Sequence, residues 1–302
     1  MHKYALLLLG LALPWIAAPA GAQDLEPRSY SNLPVGQNFA GLAYAYSDGE
    51  ISPSPGVPLE NGELTIKALV TAYARTIDLW GDSGKFDVNY GRLCFKGSAD
   101  FRGEYVEGDR CGTSDPQFRL TWLFYGAKTM ELAEFRKTPT GRVIGVSLRV
   151  VAPLGDYNNE NLINSGANRW AIKPEIGISN KWGNWNVDAS LGATVYTTND
   201  NYSSAGSRFE QDPLYQVKAN FIYNLRQGRW ISLDANYFWG GETEANGVKA
   251  DNRQENSRVG VTYSLPLNAQ HSLKFYAHKG VISNIGNDSD TFGAAWLYRW
   301  ES

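Results

Sequence analysis

Charged side chains recur at alternate positions in several segments of this chain, a pattern that lines a surface and does not converge on a reaction centre. Arg75, Arg119, Arg149, Lys173, Glu175, Asp188, Lys218, Asp234, Arg258 and Lys274 belong to stretches in which polar residues alternate with apolar ones. Read as inward-facing residues that line a lumen, groups of both signs could steer a polar or weakly anionic solute, because low-dielectric surroundings strengthen each charge. They could equally pair with one another and hold the wall in shape. No acid/base pair stands out, since the carboxylates and lysines are spread over many segments. A serine hydrolase would need a histidine base beside its nucleophile. His278 is the candidate inside a strand-like segment, and no His-x-Ser pattern accompanies it, so catalysis is the least supported reading.

The chain has two cysteines, Cys94 and Cys111. In an oxidising compartment such a pair reads as a disulfide that staples one loop. Zinc would need further ligands, and His271 and His278 lie far along the chain. No metal or cofactor is expected.

The oxidising compartment follows from the first residues. Lys3 precedes an apolar run from Ala5 to Leu13, and Ala20-Gly21-Ala22 forms a small-residue cleavage site before Gln23. Pro14 interrupts the run, which is shorter than the roughly 20 residues of a membrane-spanning helix. Residues 1–22 are therefore expected to be a removed signal peptide. The formal net charge of −3 gives no sign of a nucleic-acid partner. No later stretch is apolar enough for a spanning helix, so the exported chain either stays in the periplasm or crosses a membrane as strands.

Segments of roughly ten to fourteen residues alternate apolar and polar side chains, the period of a strand with two unlike faces. In Leu214 to Arg226, Tyr215, Val217, Ala219, Phe221 and Tyr223 oppose Gln216, Lys218, Asn220 and Asn224. About twelve such segments are expected: 37–46, 64–76, 85–95, 116–125, 142–153, 169–181, 185–198, 213–226, 229–240, 257–267, 271–282 and 290–300. Short turns near Trp182-Gly183-Asn184, Gln227-Gly228 and Asn268-Ala269-Gln270 alternate with long polar connections at 47–63, 97–115, 154–168, 199–212 and 241–256. One connection breaks that rule: Gly126 to Gly141 should lie on the short-turn side yet is long, and its Met130 to Arg136 could form a helical turn. It reads as a solvated excursion.

Soluble sandwich strands average five or six residues, whereas a tilted strand needs nine to eleven to cross the hydrocarbon of a bilayer. The segments fit the second case. Aromatic residues near strand ends, Trp170, Trp182, Trp185, Trp230, Trp239, Tyr298 and Trp300, suit interfacial girdles. The expected fold is all-β: a transmembrane antiparallel β-barrel of about 12 strands, with short periplasmic turns and long external loops. Phe292, Ala294, Trp296, Tyr298 and Trp300 share one face of the last strand, as in the terminal strand that barrel-assembly machinery reads; Glu301-Ser302 departs from the usual final aromatic.

Several strings carry a family resemblance: Asp24 to Asn32 (DLEPRSYSN), Pro34 to Phe39 (PVGQNF), Tyr73-Ala74-Arg75-Thr76, Asn168-Arg169-Trp170 with Lys173 to Gly177, Gln211-Asp212-Pro213, Asn256 to Gly260, and Trp296 to Trp300. Over nearly the whole exported chain they resemble the meta-pathway phenol-degradation family of outer-membrane transporters. The resemblance implies an outer-membrane channel for passive or facilitated uptake of a small compound, aromatic ones included. A receptor or structural barrel that binds through its loops is the alternative. The domains expected are the signal peptide at 1–22, an N-terminal segment at 23–36, and the barrel at 37–302. That segment is either a small lumen plug or a periplasmic tail. Expected partners are outer-membrane lipid and lipopolysaccharide, the assembly machinery and the solute.

Overall fold

The alternation resolves into long antiparallel strands in the computed structural model, which describes residues 26–52, 59–101, 103–139, 141–161, 163–203, 206–282 and 286–301. The expected signal peptide and Gln23 to Leu25 lie outside the described residues. In chain order the elements are β1 (Gln37–Ser52), β2 (Leu59–Leu79), β3 (Asp82–Phe101), β4 (Glu104–Thr113), β5 (Gln117–Tyr125), α1 (Leu132–Phe135), β6 (Val143–Val151), β7 (Ala171–Trp182) and β8 (Trp185–Tyr196). They continue with β9 (Phe209–Gln211), β10 (Leu214–Asn224), β11 (Trp230–Gly240), β12 (Thr243–Ala245), β13 (Val248–Lys249), β14 (Gln254–Pro266), β15 (His271–Ile282) and β16 (Gly286–Glu301). β4 and β5 both pair with β3 and make one wall strand, broken at Ser114 to Pro116. β1 pairs with β16 from Gln37↔Glu301 to Ser52↔Gly286, which closes a 12-strand barrel. Closure leaves no open sheet edge in the wall, the condition for strands to survive in hydrocarbon.

The two faces are the reverse of a soluble protein's. Outward residues on every wall strand are large, apolar and exposed, among them Leu42, Leu69, Leu120, Leu148, Ile176, Leu191, Phe221, Leu233, Val261, Phe275 and Phe292. Inward residues are polar and buried, as Thr121, Ser179, Ser190, Asn220, Asp234, Asn236 and Thr262 show. In lipid each outward leucine-sized side chain is worth about 1.5–3 kcal/mol relative to water. Among the described residues no helix is long and apolar enough to cross a membrane.

Several expected boundaries move. The expected loop at 47–63 is largely strand, since β1 runs to Ser52 and β2 starts at Leu59. The expected loop at 97–115 is a hairpin of β3 and β4, because two strands stapled at their base continue to pair in water. The 126–141 connection is not a free excursion. Its Ala127 carbonyl accepts Ser83 N–H, its Thr129 N–H donates to Gly81, and Lys128 Nζ lies 2.6 Å from Asp82 Oδ1, so it folds across the β2–β3 turn. That turn is made by Trp80 and Gly81, both at positive φ as a two-residue hairpin requires.

Candidate functional site: the barrel lumen

Strand alternation turns Arg119, Arg149, Lys173, Glu175, Asp188, Lys218, Asp234, Arg258 and Lys274 inward. Arg75 is different. It pairs with Asn38 and shares the face of Leu69, Thr71 and Tyr73, and it is exposed on the outer wall near the strand end. Trp230 also departs from the expectation, since it is buried on the inner face, where Arg28 lies 5.1 Å and Lys274 5.9 Å from its ring centroid. It is a platform in the lumen and takes no part in an interfacial girdle.

One arc of the lumen, from β5 through β14, is packed and polar. Glu175 Oε2 lies 3.1 Å from Lys173 Nζ and 3.2 Å from Lys218 Nζ, and all three side chains are at most 6% exposed. Lys173 also donates to Gln216. Asp234 is fully buried and accepts from Asn220 at 2.9 Å and Thr262 at 2.7 Å. Arg119 is held by Asp87 at 3.0 Å and Glu26 at 2.8 Å, while Arg258 donates to Ser289. Buried charges paired this closely give the arc a fixed shape.

Residues 26–36 lie inside the lumen and complete that arc. Tyr30 is 2% exposed; its hydroxyl donates to Glu175 Oε1 at 3.0 Å and lies 3.2 Å from Ser147 Oγ. Leu123, Ala127 and Val143 enclose its ring, and a Cβ at Gly177 would overlap it. Arg28 N–H donates to Asp188 at 3.0 Å, and its guanidinium donates to Asn224. The exit of the segment is pinned by Val35 N–H to Met130, Gly36 N–H to Thr76, and Thr76 Oγ1 to Pro34. Plug and tail are both open from sequence, because a short polar stretch has no periodicity; its recognisable signal is the aromatic Tyr30 opposite an inward glycine.

The opposite arc, on β16, β1 and β2, is lined by small residues. Register places Ala43, Ala45, Ala68, Val70, Ala72, Gly293 and Ala295 inward. Ala72 is inward and yet exposed, so water reaches this wall. Toward the external end the lining becomes bulkier: Leu64, Leu93 and Phe95 pack with Ile66, Ala68 and Ile163.

The external loops are tied together over the β7 to β11 side. β9, β12 and β13 form a small sheet, and Tyr157 and Asn168 bond to Asn199. Arg169 stacks over Tyr196 at 4.4 Å and Phe209 at 4.8 Å and donates to Gln211. Burial lowers its pKa to about 10, with Tyr196, Tyr202 and Tyr157 acting in the opposite direction. Asp156 accepts Thr113 N–H at 2.7 Å, which holds its carboxyl below the usual range. Cys94 and Cys111, at directly opposed positions of β3 and β4, are joined by a disulfide. His278 stacks on Tyr276, 5.2 Å between centroids, and among the described residues no cluster suited to a metal occurs.

The model of the family described as "Putative MetA-pathway of phenol degradation" matches residues 47–294. The chain belongs to that family. Among solved structures it is similar to an outer membrane channel from Pseudomonas putida F1, with 20% identity, 92% of this chain and 100% of that chain covered, and a TM-score of 0.77. It is also similar to the β domain of the Bordetella autotransporter Brka, with 13% identity, 87% and 99% coverage, and a TM-score of 0.51. These likenesses show the fold, an outer-membrane β-barrel. No curated protein matches.

Proposed function

We propose that this family member is a passive outer-membrane channel for small organic solutes, aromatic compounds included. The observation that carries it is the two-sided lumen: a wall of small residues that water reaches runs beside a packed, charged arc. Twelve strands make a barrel wider than the eight-stranded ones that side chains can fill. Such a path offers an apolar surface to a ring and polar groups to its substituents, as small-molecule sites do. The Pseudomonas putida protein's being an outer membrane channel and the phenol-degradation description of the family support the same reading. Transport, and not catalysis, is the role proposed. Residues 1–22 act as an export signal, and the N-terminal segment, through its residues 26–36, as a small plug that narrows the lumen from the periplasmic end. The outer face meets lipid and, at the external rim, lipopolysaccharide, after insertion by assembly machinery that reads the aromatic face of β16.

Single-channel recording of refolded protein beginning at Gln23 tests this. Discrete conductance steps that phenol or benzoate blocks are expected. A barrel that runs as folded on heat-modifiability gels and never conducts would sink the reading.

A further inference from the structure

Two inward lysines flank the small-residue wall, one at each edge. Lys85 on β3 opposes Thr76 of β2, and Lys274 on β15 opposes Ala295 of β16. The strands between them, β2, β1 and β16, carry Ala72, Ala43 and Gly293 inward. The two ammonium groups are near enough across the lumen to repel one another, with Arg119, Asp87 and Glu26 also within range of Lys85. Asp87 and Glu26 bond to Arg119, and the field of these two carboxylates also reaches Lys85. Neither lysine makes an ion pair or a hydrogen bond with any described residue; Lys274 has the Trp230 face and, more remotely, the field of Asp234.

That contrasts with the packed arc, where Lys173 and Lys218 share one carboxylate. A lysine drawn partly out of water needs a counter-charge. Here carboxylates act on the two lysines only through their field, neither ammonium is bonded to one, and both stand beside a wall that water reaches. We infer that Lys85 and Lys274 form an anion-receiving site in the open half of the lumen, and that its ligand is a small organic carboxylate on an apolar body. The carboxylate sits between the ammonium groups, and the body lies against Ala43 and Ala72, beside the Tyr276 ring that covers Gly293. A cationic aromatic solute or a small inorganic anion would lose one of those two complements. The inference rests on the channel reading and supplies its selectivity, since fixed lumen charge sets which ion a passage admits.

The test pairs two measurements on refolded protein. In a bilayer with a sodium benzoate gradient, the reversal potential should show an anion-to-cation permeability ratio of at least about threefold. The double variant Lys85→Gln/Lys274→Gln should bring it close to one, and Lys85→Arg/Lys274→Arg should keep it. Separately, titration calorimetry in detergent should show saturable benzoate binding that benzyl alcohol, its neutral analogue, does not reproduce. That binding should fall about tenfold or more in the glutamine variant and persist in the arginine one. Benzoate binding without conductance would overturn the channel reading and leave the site standing. A ratio and a benzoate affinity that the glutamine variant leaves unchanged would overturn the site, as would a wild-type barrel that binds both probes alike or neither.

Discussion

At the scale of single residues, Glu175 is the point where wall and N-terminal segment are joined. It is 8% exposed, faces two lysines, and accepts from the Tyr30 hydroxyl. Removing its charge by Glu175→Gln leaves Lys173 and Lys218 buried against each other with no carboxylate between them. A broken buried pair costs about 3–5 kcal/mol, so the denaturation midpoint should fall sharply, whereas Tyr30→Phe, which keeps the ring and loses one hydrogen bond, should cost about 1 kcal/mol. Urea titrations of the two variants in lipid vesicles check this; equal shifts would mean that Glu175 answers mainly to the tyrosine. Alternation identifies Glu175, Lys173 and Lys218 as inward from the sequence, because their outward neighbours Ile172, Ile176 and Val217 are plainly apolar. Arg75 was misread for a physical reason. Both faces of β2 are apolar there, with Ala72 and Ala74 inward against Leu69 and Tyr73 outward, and a strand without two unlike faces does not announce its register. Trp230 misled in another way, since residue type suggested an interface while its parity on β11 points it into the lumen.

At the scale of elements, strand existence was legible and strand ends were not. Hydrophobic alternation marks the part of a strand that meets lipid; beyond the bilayer the same strand can go on pairing with polar residues on both faces. β4 is the case in point, with Glu104, Glu107, Asp109 and Arg110 exposed in a ladder that the polarity of the sequence suggested was loop. The 126–141 connection escaped for a related reason: its partners, the β2–β3 turn and Val35, are distant in sequence. Because the β3–β4 hairpin stands outside the hydrocarbon, its disulfide should stabilise the hairpin locally. The double variant Cys94→Ser/Cys111→Ser should lose about 3 kcal/mol of loop-closure stabilisation there, with proteolytic nicking near Gly103 and an unchanged heat-modifiable barrel band. Loss of the barrel band as well would show that the staple serves the whole wall.

At the scale of the molecule, the decisive property is that polarity is inverted: hydrocarbon solvates the outside and the lumen hosts the charges. The barrel therefore makes opposite demands on two residues that a soluble fold would treat alike as exposed and apolar. Leu233 lies outward and 56% exposed on β11, where only lipid can contact it. Ala72 is exposed too, but toward the lumen, with Gly41 beside it and water in front of it. Leu233→Arg places an ion in the bilayer and should cost about 2–4 kcal/mol at the midplane. Ala72→Arg places the same ion in the aqueous half of the lumen, where it keeps its hydration, and should change stability by less than about 1 kcal/mol while narrowing the path and lowering conductance. Guanidinium unfolding in vesicles, read beside single-channel current, separates the two. If both variants lose stability alike, the wall of β16, β1 and β2 does not face water. The open path and the two lysines that border it would then have to be placed elsewhere in the barrel.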